Sequence, residues 1–165
     1  MDIDNVPKSP FEGAISLKQA TLGDAGIVFA WRNHPDIYRY FFNPTPVLWE
    51  EHVAWFTRAL ANPGCHFLIA RDTNDHSLGV VRFEAQGDAG SAEVNIMVAP
   101  GFEGGGLGTR MLELGVDWVA ERTPIRHVVA KVMEANLGSR KLFEKVGFTT
   151  TYRVMERTLD VTDVR

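Results

Sequence analysis

What this sequence lacks narrows it before any motif is read. Cys65 is the only cysteine in 165 residues, so neither a disulfide framework nor a cysteine metal site can form within one chain. His34, His66, His76 and His127 fall at no metal-ligand spacing, and the expectation is that no metal is bound. No apolar run approaches the roughly 20 residues that cross a bilayer. The opening MDIDNVPKSP also lacks the apolar segment of a signal peptide, so the expectation is a cytoplasmic chain without a membrane partner. There is no basic cluster, and a formal net charge of −4 argues against nucleic acid as a partner. Internal repeats and low-complexity segments are missing too. The remainder is ordinary: 45% hydrophobic and 23% charged residues, with length enough for one core without staples. Residues 1–12, polar and with two prolines, are expected to be a loose lead-in, and 13–165 a single domain.

Glycine, by contrast, is concentrated. Between Ala92 and Val119 the chain reads AEVNIMVAP, then GFEGGGLG, then TRMLELGVDWV. The first part alternates Val94, Ile96 and Val98 against Glu93, Asn95 and Met97, the period-two signature of a half-buried strand. The last part sets Leu107, Met111, Leu114 and Trp118 at helical spacing. A strand therefore feeds a helix through a glycine turn, which leaves the first amides of the helix unpaired at the positive end of its dipole. Such a turn cradles an anion, a nucleotide phosphate or a cofactor pyrophosphate. Gly104, Gly105, Gly106 and Gly108 allow the close approach and Thr109 adds a hydroxyl. A plain βα connection would use the same residues. No Lys-Ser/Thr pair follows the glycines, so the nucleotide-triphosphatase loop is excluded. The turn also comes after most of the strands, where a dinucleotide fingerprint would sit on the first.

In chain order, Ala14 to Ala20 reads as a strand. Thr21 and Asp24 form a capping box for a helix carrying Ile27, Val28, Phe29 and Trp31 and ending near His34-Pro35. A second helix starts near Pro46 to Glu50, buries Val53, Trp55, Phe56 and Leu60, and stops at Asn62-Pro63-Gly64. Strands follow at His66 to Arg71, Ser77 to Ala85 and Ala92 to Val98, with polar turn clusters making them antiparallel neighbours. Beyond the glycine turn and its helix come a strand at Arg126 to Met133, a helix at Asn136 to Val146 closed by Gly147, and a further strand over 148–158. The fold class is α/β with a mixed, mostly antiparallel sheet flanked by helices.

This order resembles the GNAT superfamily of acetyl-CoA-dependent N-acetyltransferases over nearly the whole chain. Glu103-Gly104-Gly105-Gly106-Leu107-Gly108 matches the glycines of its Gln/Arg-x-x-Gly-x-Gly/Ala motif. Asn136 followed by a short helix ending in Glu144-Lys145-Val146-Gly147-Phe148 resembles its second motif. Trp31-Arg32-Asn33-His34-Pro35 with Glu51-His52-x-x-Trp55-Phe56 is similar to the bacterial sugar-nucleotide N-acetyltransferases of the pseudaminic acid pathway. The ribosomal-protein and N-terminal acetyltransferases share part of that pattern.

The resemblance implies direct attack of an amine on the thioester of acetyl-CoA, with an amino sugar of a sugar nucleotide as the expected acceptor. A protein N-terminus, or a catalytically weak acetyl-CoA-binding module, is the alternative. The expected partner is a small-molecule amine, and a homodimer is allowed. The resemblance places the acetyl group beside Met97 and Val98, the pyrophosphate on Gly104 to Thr109 including Leu107, and the pantetheine arm against Asn136, Ser139 and Phe143. Asn136 would serve equally as a helix N-cap. Arg32, Asn33, His52 and Tyr38 are acceptor-side candidates; Glu93 leads Glu84, Glu134 and His52 as general base, with an exposed strand carboxylate as the plain alternative for Glu93 and ordered water as another route. Three departures stand out. Glu103 replaces Gln or Arg, Phe143 replaces a proton-donating Tyr and leaves Tyr152 or water for that task, and Lys131 stands where some relatives carry a base.

Overall fold

The computed structural model describes residues 11–158. Five strands form one sheet in the order β1-β2-β3-β4-β5: β1 (Ile15–Gln19), β2 (Cys65–Asp72), β3 (Ser77–Gln86), β4 (Asp88–Val98) and β5 (His127–Val129). The first four are antiparallel neighbours, and β5 joins β4 in parallel. The hairpin from β3 to β4 is tighter than its polar sequence suggests. Gln86 pairs with Asp88 across Gly87, whose φ of +66° only glycine adopts without strain.

Period-two alternation sends the side chains of each strand to two faces, and both are covered. On one lie α1 (Ala25–Arg32), the single turn α2 (Pro35–Tyr38) and α3 (Trp49–Ala61), with Val28, Trp31 and Phe56 packed on Phe67, Ile69 and Val80. On the other lie α4 (Leu107–Arg122) and α5 (Leu137–Lys145), with Leu107, Met111, Leu112, Val119 and Phe143 packed on Leu68, Val81, Phe83 and Val94. Fully burying a side chain such as Phe83 or Leu112 stabilises by about 1.5–3 kcal/mol. The face of α4 that meets the sheet is offset from the predicted one: Leu114 is exposed and Trp118 half-buried, while Gly108 and Gly115 are buried. Glycine explains the offset. A Cβ on Gly115 would stand 2.9 Å from Val81, and one on Gly108 2.5 Å from Leu142, so the helix lies closer to its neighbours than any side chain allows.

Three expectations are corrected. Phe11, placed in a loose lead-in, donates its N–H to Gly105 O at 3.0 Å and accepts from Arg110 at 3.0 Å, because its ring packs edge-on against Phe102. The strand at Arg126 to Met133 is paired only over His127–Val129. No ladder forms over 148–158, where Tyr152, Val154 and Met155 are largely exposed; residues 1–10 and 159–165 lie outside the described residues. No helix among the described residues is long and apolar enough to cross a membrane, and no group of three metal-ligating side chains occurs there.

The capping box is present as predicted. Thr21 N–H donates to Asp24 Oδ2 at 2.8 Å, and the other oxygen of Asp24 accepts from Arg71 at 2.5 Å. This largely buried pair ties the start of α1 to β2. Removing one partner strands the other charge, so Asp24→Ala should lower the unfolding free energy by about 3 kcal/mol in urea denaturation; a loss under about 1 kcal/mol would contradict this role.

Candidate active site

The glycine loop delivers α4 with its N-terminus open. Gly104 and Gly106 both have φ of +79°, which lets the chain reverse into Leu107 without strain. The amides of Leu107, Gly108 and Thr109 open the helix, and none bonds a backbone carbonyl among the described residues. They supply concentrated positive potential next to the end of β4. Within the loop the Glu103 carboxylate accepts the N–H of Gly101 at 2.9 Å.

Strands β4 and β5 part company just before that point. Their ladder covers only Ser91–Glu93 against His127–Val129, so the later half of β4 has no neighbour on that edge among the described residues. Successive residues of a strand turn their main-chain groups to opposite edges. Ala99 N–H donates to Leu78 O on the β3 side, so Met97 faces β3 as well, while Ile96 and Val98 face the open edge. Of the two donors expected here, Val98 is available. Met97 offers only its side chain. At the fork, Lys131 bonds Glu93 at 2.8 Å, and Tyr152 stands within electrostatic reach of Lys131. The bonded carboxylate, and then its charge, raises the Lys131 ammonium above its ordinary value.

A cavity of about 420 Å³ opens on the other side of β4, between α1, α3 and the strands. Its sheet wall carries Arg82 and Asn95, which are register partners on β3 and β4 and are joined by Met97. Its helix wall carries Arg32, His52 and Trp55, and Phe41 closes it from the loop after α2. Arg32 stands 4.2 Å over the Phe41 ring and donates weakly to the carbonyls of Thr45 and Asn43 at 3.3 and 3.4 Å. Burial pulls its guanidinium below its ordinary value, yet an arginine keeps its charge at any physiological pH. Arg82 bonds Glu84 and lies 5.3 Å from the Trp55 ring.

His52 is the buried polar group of this wall, 3% exposed. Its ring lies among Phe29, Trp49, Trp55 and Phe56, with centroids 5.3 to 6.1 Å away, and Nε2 meets Ala25 O at 2.9 Å. A carbonyl only accepts, so Nε2 carries the hydrogen. Burial lowers the His52 pKa; the bond to Ala25 opposes this and the Arg32 charge adds to it.

The structure gathers some of the sequence-derived candidates and disperses others. Arg32 and His52 meet in the cavity. Asn33 does not: its amide donates to Val47 O at 2.9 Å and accepts Val47 N–H at 2.8 Å, clamping the loop that carries Phe41. Tyr38 is half-buried in α2 away from the cavity, and Phe41 holds the aromatic position instead. Glu93 is no lining residue, being bound to Lys131. Phe143 sits in the core, edge-on to Phe148 at 5.0 Å, and Asn136 caps α5 by accepting Ser139 N–H at 3.1 Å. Arg82 and Asn95 were missed by the sequence reading. The signal for both was a polar residue interrupting apolar strands on the face shared with Met97.

The histidines give a test in pH. His52 and His66 are both lowered by burial from 6.5. The unfolded chain therefore takes up these protons first: stability is full above 6.5 and declines as the pH falls through the folded values. Urea unfolding between pH 7.5 and 5 should show this decline, with a smaller slope in His52→Gln, where only His66 remains. An equal slope in both proteins would mean that His52 is not held neutral.

The comparisons with known proteins agree with this geometry. A model of the acetyltransferase (GNAT) domain matches residues 15–149. A domain from Methanocaldococcus jannaschii DSM 2661 is 27% identical and superposes with a TM-score of 0.77 over 88% of this chain and 94% of that one. An uncharacterised protein of the same organism is 27% identical over 157 residues, 94% of this chain and 32% of that protein, so the chain spans about a third of its length. Spermidine N-acetyltransferase from Vibrio cholerae, in complex with CoA and spermine, shares the fold at 19% identity and a TM-score of 0.79, with 88% of this chain and 86% of that one covered. The matched residues include the glycine loop, the fork between β4 and β5 and the walls of the cavity, and the chain belongs to the acetyltransferase (GNAT) family.

Proposed function

We propose that this protein moves the acetyl group of acetyl-CoA to a primary amine held in the cavity between α1, α3 and β4, and that the acceptor carries an anionic group beside its amine. An amino sugar on a nucleotide, as in the pseudaminic acid pathway, meets that description. The observation that carries the acceptor class is the charge of the walls: Arg32 and Arg82 line the cavity with the exposed Glu51, and because Arg82 is paired with Glu84, Arg32 is the wall guanidinium with no carboxylate bound to it among the described residues. A polycation such as a polyamine would meet the Arg32 charge at close range. A phosphate would be met by guanidinium donors able to bind it in a bidentate way.

The co-substrate side of the reading is supported by Gly104 to Thr109 and by the open edge of β4. The amides at the start of α4 suit the pyrophosphate of CoA. The main-chain groups of Ile96 and Val98 suit the pantetheine arm, and the expected contacts of that arm with Asn136 and Ser139 remain part of this reading. In this chemistry the amine nitrogen attacks the thioester carbon, the C–S bond breaks, and the thiolate leaves with a proton from Tyr152 or water. Cys65, the only cysteine of the sequence, is a poor competing nucleophile: burial raises its thiol above its ordinary value, so it stays protonated near neutrality.

The reading is tested by thiol release from acetyl-CoA with a nucleotide-linked 4-amino sugar, spermidine, an aminoglycoside and a peptide with a free N-terminus. The nucleotide sugar should give the highest kcat/KM. Arg32→Ala should lower that value by at least tenfold, as expected for one lost charge-assisted contact, and change the peptide rate by less than threefold. Preference for spermidine or the aminoglycoside would contradict the anionic acceptor, and tight CoA binding without any turnover would favour a binding module.

A further inference from the structure

His52 has features that neither core packing nor acceptor contact requires. A histidine buried among four aromatic rings could be replaced by Phe or Leu without loss of packing. Here, however, one ring nitrogen is fixed by Ala25 O at 2.9 Å, which sets the neutral tautomer with hydrogen on Nε2 and a lone pair on Nδ1. That lone pair has no partner among the described residues. No side-chain nitrogen or oxygen closed off from solvent lacks a hydrogen-bond partner among the described residues, so Nδ1 reaches open space, and the space His52 lines is the acceptor cavity.

We propose that His52 is the general base of the acetyl transfer, its Nδ1 taking the proton from the ammonium group of the acceptor inside the cavity. The proposal rests on the acetyl-transfer reading above and adds the proton route. The bookkeeping closes: His52 removes one proton from R–NH₃⁺, and the free amine forms a C–N bond to the thioester carbon as the C–S bond breaks. The second nitrogen proton ends on the departing thiolate, and protonated His52 returns its proton to solvent.

The surroundings suit this task. The charged groups around the cavity that His52 lines are Arg32 from α1, Glu51 from its own helix, and Arg82 from β3, the last paired with Glu84 of the same strand. The Arg32 guanidinium disfavours both a protonated imidazole and an ammonium in the same space, so the acceptor is favoured to give up its proton on entry, and the imidazole does not keep it. Burial acts in the same direction on His52. The competing carboxylates are placed less well. Glu93 is tied to Lys131 at 2.8 Å outside the cavity, and Glu51 is exposed, its Oε2 accepting the N–H of Leu48 at 3.4 Å in the capping box of α3.

The test uses His52→Gln, whose amide can still donate to Ala25 O while offering no base. n-Propylamine at high concentration serves as a minimal acceptor that needs no recognition, and thiol release is followed from pH 5 to 10. The wild-type profile should show an acid limb below pH 6.5. His52→Gln should lose that limb and fall about 100-fold at pH 7, the lower end of general-base effects, and then recover towards the wild-type rate near pH 10, where a substantial fraction of the amine arrives already deprotonated. A purely structural role would lower the rate equally at all pH values. An unchanged rate and limb in His52→Gln, or loss of the limb in Glu51→Gln instead, overturns the proposal. Absence of thiol release by the wild-type protein with every amine would instead overturn the acetyl-transfer reading. If His52→Gln does not fold, nitrogen NMR of the wild-type imidazoles decides: hydrogen on Nε2 with Nδ1 titrating below 6.5 supports the proposal, and hydrogen on Nδ1 refutes it.

Discussion

Helix α4 lies against the sheet closer than side chains permit, and the position of every other part of the site follows from that contact. Gly115 sits over Val81 and Phe83, and Gly108 over Leu142 and Val98, where a single methyl group would collide. Held this way, the first turn of the helix comes down beside the last residues of β4. Its first-turn amides, which bond no backbone carbonyl among the described residues, and the open edge of Ile96 and Val98 lie at the same end of β4. Two stretches of backbone that hydrogen bonding ordinarily closes off are thus left open side by side. The surrounding packing holds them there, since an open strand edge and an uncapped helix are each costly alone.

The same strand separates two chemistries. One side of β4 meets α4 and α5 through Val94, Ile96 and Val98; the other side turns Asn95 and Met97 to the cavity under α1 and α3. In the proposed reaction a thioester held at the edge and an amine held in the cavity would meet across one strand, which is the entropic part of catalysis. The electrostatic part is local. The donors at α4 favour negative charge, the guanidinium of Arg32 disfavours a cation, and Arg82 and Lys131 are neutralised by Glu84 and Glu93.

Much of this was legible before any coordinates. Alternation gave the faces of β4, and polar turn clusters bracketing short apolar runs gave β2 and β3, which are covered on both faces and do not alternate in burial. The capping box at Thr21 and Asp24 gave the start of α1, and Gly147, at φ of +91°, gave the end of α5. Other features were not readable from periodicity. The buried face of α4 was misjudged because two of its contact residues are glycines, which a count of apolar side chains passes over. The 148–158 segment has strand-forming residues but no ladder among the described residues, and pairing depends on a neighbour that local sequence does not name. Arg82 and Asn95 were missed for a related reason. Alternation tells which residues share a face, but whether that face is packed or hollow depends on the helices opposite. Glu93 shares its face with Asn95 as expected, and it was Lys131, the departure noted in the sequence, that took its carboxylate.

The account rests on main-chain amides of Gly104 to Thr109 and the open edge of β4 forming one surface for CoA. Titration of ¹⁵N-labelled protein with CoA, followed residue by residue in amide spectra, tests this most directly. The largest shifts should fall on Gly104 to Thr109 and on Ile96 and Val98, with Met97, bonded towards β3, moving less. Shifts confined to other elements, or none at millimolar CoA, would contradict the account.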